Sequence, residues 1–103
     1  MTDPEQLAGG VIVGGFDGTS LPYVIRDRLA RGHLAGVTLF KRNIVDVTQV
    51  RTLCADLTSA TRDGAGPVIS IDQEGGRVAR LRESVTVLPA MRVLGAINDT
   101  DLT

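Results

Sequence analysis

Asp72, Gln73 and Glu74 stand in a row, followed by Gly75-Gly76 and then by Arg77, Arg80 and Arg82. Two acids and an amide put polar groups side by side, as in one wall of a ligand site, and guanidinium groups offer paired donors to oxygen-rich ligands. Two glycines between them free the backbone to turn. A second group, Lys41-Arg42-Asn43, directly follows the apolar run GVTLF. These three side chains either aim cationic and amide groups at a ligand or are solvated and paired with acids on the rim, and the pattern leaves both open. His33 is the one histidine, and nothing near it in sequence makes half of a metal pair, so it reads as a loop residue. Cys54 falls in an apolar helical stripe, which marks a buried inert thiol rather than a nucleophile.

Side chains of this kind must be held by something rigid. Pro67 to Ile71 opens with Val68, Ile69 and Ile71 and reads as a short strand buried on both faces, its acids and arginines in the loop at its C-terminal end. Upstream, Met1 to Gln6 is polar and reads as a loose lead-in. Val11 to Val13, between two Gly-Gly pairs, is a second buried strand. The glycines around it match neither G-x-G-x-x-G nor G-x-x-x-x-G-K-[ST], so a nucleotide loop is set aside. A helix follows from about Pro22 to Arg31, with Thr19 or Ser20 as its cap, Leu21, Val24, Ile25 and Leu29 as its stripe and Gly32 as its stop. Gly36 to Phe40 is the next strand. Asp46 to Arg62 is the clearest helix: Asp46 and Gln49 have capping-box spacing, and Val47, Val50, Leu53, Cys54, Leu57 and Ala60 share one face. It should stop at Gly64-Ala65-Gly66-Pro67. Beyond Arg82, Leu88-Pro89-Ala90-Met91 and Leu94-Gly95 suggest a loop entering a short helical turn.

Strand, helix, strand, helix, strand in this order implies parallel strands with right-handed crossovers. Apolar runs without strict alternation fit strands covered on both faces. The class is α/β, either a doubly wound sheet or the opening of a (β/α)8 barrel, and periodicity does not separate the two.

With 103 residues the chain is one small domain or part of a larger one. Aromatics supply only 3% of it, so Val, Leu, Ile and Ala must build the core. A net charge of −1 argues against a nucleic-acid binder that neutralises phosphates. A single cysteine allows no disulfide within the chain. No apolar run approaches membrane-spanning length, and MTDPEQLAGG lacks the basic and apolar regions of a signal peptide. A cytoplasmic protein without membrane attachment is the expectation.

GVTLFKRN, then a helix, then PVISIDQEGGRVARLRE, then TVLPAMRVLG resembles the N-terminal barrel of glycoside hydrolase family 3. The similarity is greatest to its bacterial β-N-acetylhexosaminidase branch, which carries such segments in this order and at this spacing. It covers nearly the whole chain from about Gly9. The resemblance implies a fold made of about three β/α units of the (β/α)8 TIM barrel, residues 1–103 forming part of that domain. It implies release of terminal β-linked N-acetylglucosamine from glycans such as cell-wall muropeptides, by a retaining mechanism through a covalent glycosyl-enzyme. By position in the motif, Asp72 matches a substrate-binding aspartate and Arg80 an arginine that also contacts the sugar. The alternatives are a rim carboxylate paired with Arg77 or Lys41, and a surface arginine. Glu74, Gly75 and Gly76 read as shaping the loop. Asp72 and Glu74 are not an acid/base pair, because such a pair must flank the scissile bond from opposite sides.

In the resembled branch a K-H-F-P-G-H-G segment supplies a proton-transfer histidine, and an aspartate nucleophile comes later still. Neither has a counterpart here, so substrate-binding but not catalytic residues are expected, and the chain alone should be inactive. Three strands would leave open edges that invite aggregation and would need the remainder of the barrel for a closed fold. No metal or organic cofactor is implied, and the expected partner is a glycan containing N-acetylglucosamine. Two other functions remain open: a β-glucosidase of the same family, and a non-catalytic α/β module that binds sugars or a partner.

Overall fold

In the computed structural model, residues 3–61, 66–98 and 101 are described. Three strands, β1 (Val13–Gly14), β2 (Gly36–Leu39) and β3 (Val68–Ile71), form a parallel sheet in the order β1-β2-β3. Val13 pairs with Gly36, and Leu39 pairs with Ile71. The crossovers run through helices α2 (Tyr23–Ala30) and α3 (Val47–Ala60), as the alternating pattern requires.

Leu29 from α2, Val37 and Leu39 from β2, and Leu53 and Leu57 from α3 are all 2% exposed or less. Each such burial stabilises by about 1.5–3 kcal/mol against exposure. The core therefore lies between β2 and the two helices that pack on each other. Gly36 explains how closely the strands meet, since a Cβ there would run into the Val68 backbone. Thr38 and Ser70, on neighbouring strands, share a hydroxyl hydrogen bond of 2.8 Å.

Asp46 caps α3, its Oδ1 accepting from the Gln49 backbone N–H at 2.7 Å. The reciprocal bond is displaced by one residue: Gln49 Oε1 accepts from the N–H of Val45 at 2.8 Å. The Gln49 amide also donates to the carbonyls of Thr19 and Asn43, which ties the start of α3 to the loop after β1. The expected end of this helix at Arg62 and its Gly64-Ala65 stop lie outside the described residues.

Several expectations need correction. The start is not a loose lead-in: Pro4–Gly9 forms helix α1, because Asp3 accepts from the Gln6 N–H at 2.9 Å and Pro4 occupies the first turn. The first strand begins at Val13, since the preceding residues finish the turn from α1 through Val11 N–H to Ala8 O and Ile12 N–H to Gly9 O. Neither Thr19 nor Ser20 caps α2. Pro22 occupies the cap position and has no side chain with which to cap. β3 is not buried on both faces either: Val68 is 56% exposed and the other three residues are half-buried. Within the described sheet β3 pairs with β2 alone.

Beyond β3 the chain was expected to be a loop. Instead β4 (Gln73–Gly75) and β5 (Val78–Ala79) form a small antiparallel ribbon with a register shift between Gln73 and Gly75. Helix α4 (Met91–Ile97) follows and has no buried residue. The Cα radius of gyration is 16.5 Å, against about 13 Å for a compact domain of this length. The ribbon and α4 thus extend the molecule away from its core.

Candidate functional site at the strand ends

Asp72 lies between the last residue of β3 and the first of β4, so its position is fixed by the sheet on one side and the ribbon on the other. Arg80 leaves β5 one residue beyond its end and returns towards the same point. The two meet: Arg80 Nη2 is 3.6 Å from Asp72 Oδ2. That distance suits an ion pair but is too long for a charge-assisted hydrogen bond of about 2.7–2.9 Å. Arg80 Nε is buried and has no hydrogen-bond partner among the described residues. The pair therefore keeps donor and acceptor capacity unspent, while its two charges hold each other in place.

Gln73 fixes the approach of Arg80. Its Oε1 accepts from the backbone N–H groups of Arg80 and Leu81 at 3.0 and 3.1 Å, and its Nε2 donates to the Leu81 carbonyl at 2.7 Å. One side chain thus clamps the returning strand three times. Gly75, at φ +88°, makes the turn, and a Cβ on it would strike the Pro89 carbonyl. The Gly76 N–H donates to Leu88 O at 2.9 Å, so the ribbon tip is held by the segment before α4. Glu74 is exposed on the ribbon.

Lys41, Arg42 and Asn43 separate into different roles. They form a single 3-10 turn after β2. Asn43 is fully buried and faces inward: Nδ2 donates to the carbonyls of Phe16 and Gly18 at 2.9 and 2.7 Å, and Oδ1 accepts from the Phe40 N–H at 2.9 Å. Arg42 donates to Phe16 O, pairs with Asp17 at 3.2 Å and stacks over the Phe40 ring at 4.9 Å. Lys41 instead lines a cleft of about 580 Å³ between the β2–α3 loop and the ribbon, together with Arg77, Arg80 and Arg82.

His33 lies in the loop between α2 and β2 as expected, yet it is not isolated. Its Nε2 is 3.3 Å from Glu5 Oε2, and Asp3, Glu5 and His33 bring their ligand-type atoms within 4.8 Å of one another. Helix α1, absent from the sequence reading, delivers both acids. Asp3 already caps that helix. Cys54 lies in the α3 stripe, packed against the core, and burial raises its thiol above the ordinary value.

Sequence reasoning missed Gln73 and Asn43 as the residues that build the site's frame. Asn43 stands three residues after Phe40, a spacing at which a side-chain amide closes a turn on the backbone. Gln73 gave no comparable signal, because the ribbon it clamps was read as a loop.

Three comparisons bear on this geometry. Residues 13–103 match the family model of the glycosyl hydrolase family 3 N terminal domain. The chain is 44% identical over 89 residues to a beta-hexosaminidase of Stenotrophomonas maltophilia (strain R551-3), covering 84% of the chain and 25% of that protein. In the crystal structure of NagZ from Neisseria gonorrhoeae in complex with N-trifluoroacetyl-D-glucosamine, the matching part has a TM-score of 0.75 and 36% identity, over 89% of this chain and 26% of that one. A glycoside hydrolase family 3 beta-N-acetylglucosaminidase from Paenibacillus sp. str. FPU-7 gives a TM-score of 0.86 and 35% identity over 99% of the chain and 20% of its own. The chain spans about a quarter of the length of the curated relatives it matches. From the matched model and the relatives together, this chain belongs to glycosyl hydrolase family 3, within its N-terminal domain.

Proposed function

We propose that the chain is the N-terminal part of a (β/α)8 barrel and supplies sugar-binding residues to a retaining β-N-acetylhexosaminidase. The observation that carries this reading is the Asp72–Arg80 pair at the end of β3, with a buried Arg80 Nε still lacking a partner among the described residues. A carboxylate held this way accepts hydrogen bonds from two hydroxyls of one sugar ring, and the guanidinium donates to a third oxygen. The parallel β/α order supports the barrel, whose ligand sites gather where strands end. The solved relative that holds N-trifluoroacetyl-D-glucosamine supports an N-acetylglucosamine unit rather than glucose as the ligand.

Asp72 and Arg80 orient the sugar in this reading, and no residue of the chain is assigned as nucleophile or proton donor. The substrate is a glycan ending in β-linked N-acetylglucosamine, with cell-wall peptidoglycan fragments as the natural source and the cytoplasm as the place of turnover. Among the described residues no helix is long and apolar enough to cross a membrane.

The test is a titration with N-acetylglucosamine and with glucose, joined to hydrolysis of 4-nitrophenyl N-acetyl-β-glucosaminide and the matching β-glucoside by the protein that carries this chain. N-acetylglucosamine and its glycoside should be preferred. Asp72→Ala or Arg80→Ala should weaken binding about tenfold or more, since hydrogen bonds to charged groups contribute about 1.5–3 kcal/mol each. Equal handling of the glucoside would turn the assignment to a β-glucosidase, and unchanged binding in both variants would remove these residues from the site.

A further inference from the structure

Asp72 is loosely held for a carboxylate that must fix a sugar. Its ion pair with Arg80, at 3.6 Å, engages Oδ2, and Oδ1 has no hydrogen-bond partner among the described residues. The sheet face that leads up to it carries a hydroxyl pair. Side chains alternate between the two faces of a strand. Val37 and Leu39 of β2 are buried against the helices, and Ile69 of β3 packs on the same core. Thr38 and Ser70, one pair of the β2–β3 register, therefore stand on the opposite face. Asp72 comes two residues after Ser70 and continues that face just past the end of β3.

The Thr38 and Ser70 hydroxyls lie 2.8 Å apart, so one donates to the other. Each carries a single proton. The accepting hydroxyl keeps its own O–H, and neither side chain has a further partner among the described residues. Ser70 is the member on the same strand as Asp72, which makes it the one to donate onward. Residues two apart on a strand are separated by about 6.6 Å. A direct hydroxyl–carboxylate bond of about 2.7 Å falls short of that span, whereas one water with two such bonds covers it. We propose, on the sugar-binding role given to Asp72 above, that Thr38 and Ser70 are positioning residues for it. Thr38 donates to Ser70, Ser70 donates through one bridging water to Asp72 Oδ1, and the carboxylate is fixed in the orientation from which it takes the sugar hydroxyls. Both residues act on the sugar only through Asp72.

The experiment titrates N-acetylglucosamine into the protein that carries this chain, into its Ser70→Ala and Asp72→Ala variants and into the double variant. Ser70→Ala should weaken binding about three- to tenfold, as loss of one hydrogen bond to a charged group allows. Ser70→Thr keeps the hydroxyl and should restore most of the affinity. Thr38→Val should cost less than Ser70→Ala, and Thr38→Ser should cost almost nothing. In the Asp72→Ala background Ser70→Ala should bring no further loss, because the two residues act as one unit. A packing role would give the same loss with and without Asp72, and that result would overturn the positioning. Wild-type affinity in Ser70→Ala would overturn it too, while a weakened Asp72→Ala would leave the sugar role standing. Unchanged binding in Asp72→Ala would overturn both readings together. Thr38→Val combined with Ser70→Ala removes both partners and should leave the melting midpoint close to that of the wild type, which separates lost affinity from lost folding.

Discussion

The Asn43 side chain reaches back from the end of β2 to the Phe16 carbonyl, 2.9 Å away at the end of β1, and holds the two strand ends together from inside. The same amide takes Gly18 O and the Phe40 N–H, so three backbone groups of two loops depend on one buried residue. A truncation would leave Gly18 O and the Phe40 N–H without this partner and Phe16 O with the Arg42 guanidinium alone. Each orphaned buried group costs about 1–3 kcal/mol. Asn43→Ala should therefore lower stability by about 1–3 kcal/mol, read as a drop in the denaturation midpoint. Asn43→Asp should also destabilise, because a carboxylate cannot donate to two carbonyls. A variant as stable as the wild type would show that other groups close these loops.

Gln73 makes a different kind of prediction, because its bonds act on a neighbour's position and not on the core. It is exposed, so its loss should change global stability little. Gln73→Ala removes the acceptor shared by the Arg80 and Leu81 N–H groups. Amide exchange at those two residues should rise, and N-acetylglucosamine affinity should fall with Asp72 and Arg80 both intact. Gln73→Glu keeps the acceptor and should restore slow exchange at both amides, though it loses the donor to Leu81 O. Unchanged exchange in Gln73→Ala would mean that the ribbon pairing alone fixes Arg80.

The parallel sheet and its two crossover helices were legible because Val, Leu and Ile at helical or strand spacing decide burial locally. Leu53 and Leu57 fell on the core face as their period required. Asp72 and Arg80 were singled out through a motif, and the structure brings them into contact, a pairing that spacing alone did not reveal. The ribbon was hidden for a physical reason. Its strands are two and three residues long, too short for alternation to register, and a Gln side chain rather than a hydrophobic face closes it. Helix α1 was hidden likewise: its six residues bury only Gly9, and its signal was the Asp3 cap with Pro4 in the first turn, which a search for apolar stripes passes over. The burial of β3 was overestimated because an apolar run states what a strand can bury, not what is there to cover it.

Cys54 offers a test of the core side of α3. Burial raises its thiol, so the folded state resists ionisation more than the unfolded chain does. Its contribution to stability is present in full below the unfolded thiol value and is lost as pH rises through the higher folded one. Iodoacetamide should react more slowly with the native protein than with the denatured chain at the same pH. The pH of half-maximal reactivity should also lie higher in the native state. Native and denatured rates that coincide would place the thiol in solvent and take it out of the apolar stripe.

Helix α4 and the segment before it carry Val87, Leu88, Met91, Val93 and Ile97, each between 48% and 59% exposed. A seven-residue helix with no buried residue has little to hold it, since isolated helices of that length are marginal in water. Its apolar side chains add to the open faces of β1 and β3, where Val13 and Val68 are 45% and 56% exposed. Such surface drives association unless something covers it. The chain on its own should therefore bind a hydrophobic dye such as ANS and show light scattering that grows with concentration. Amide exchange along α4 should be fast even where β2 is protected. Met91→Lys with Val93→Glu should reduce scattering without lowering the protection of β2, because α4 makes no part of the buried core. A dye-silent monomer with uniform protection would show that these side chains are covered in solution, contrary to the exposure seen here.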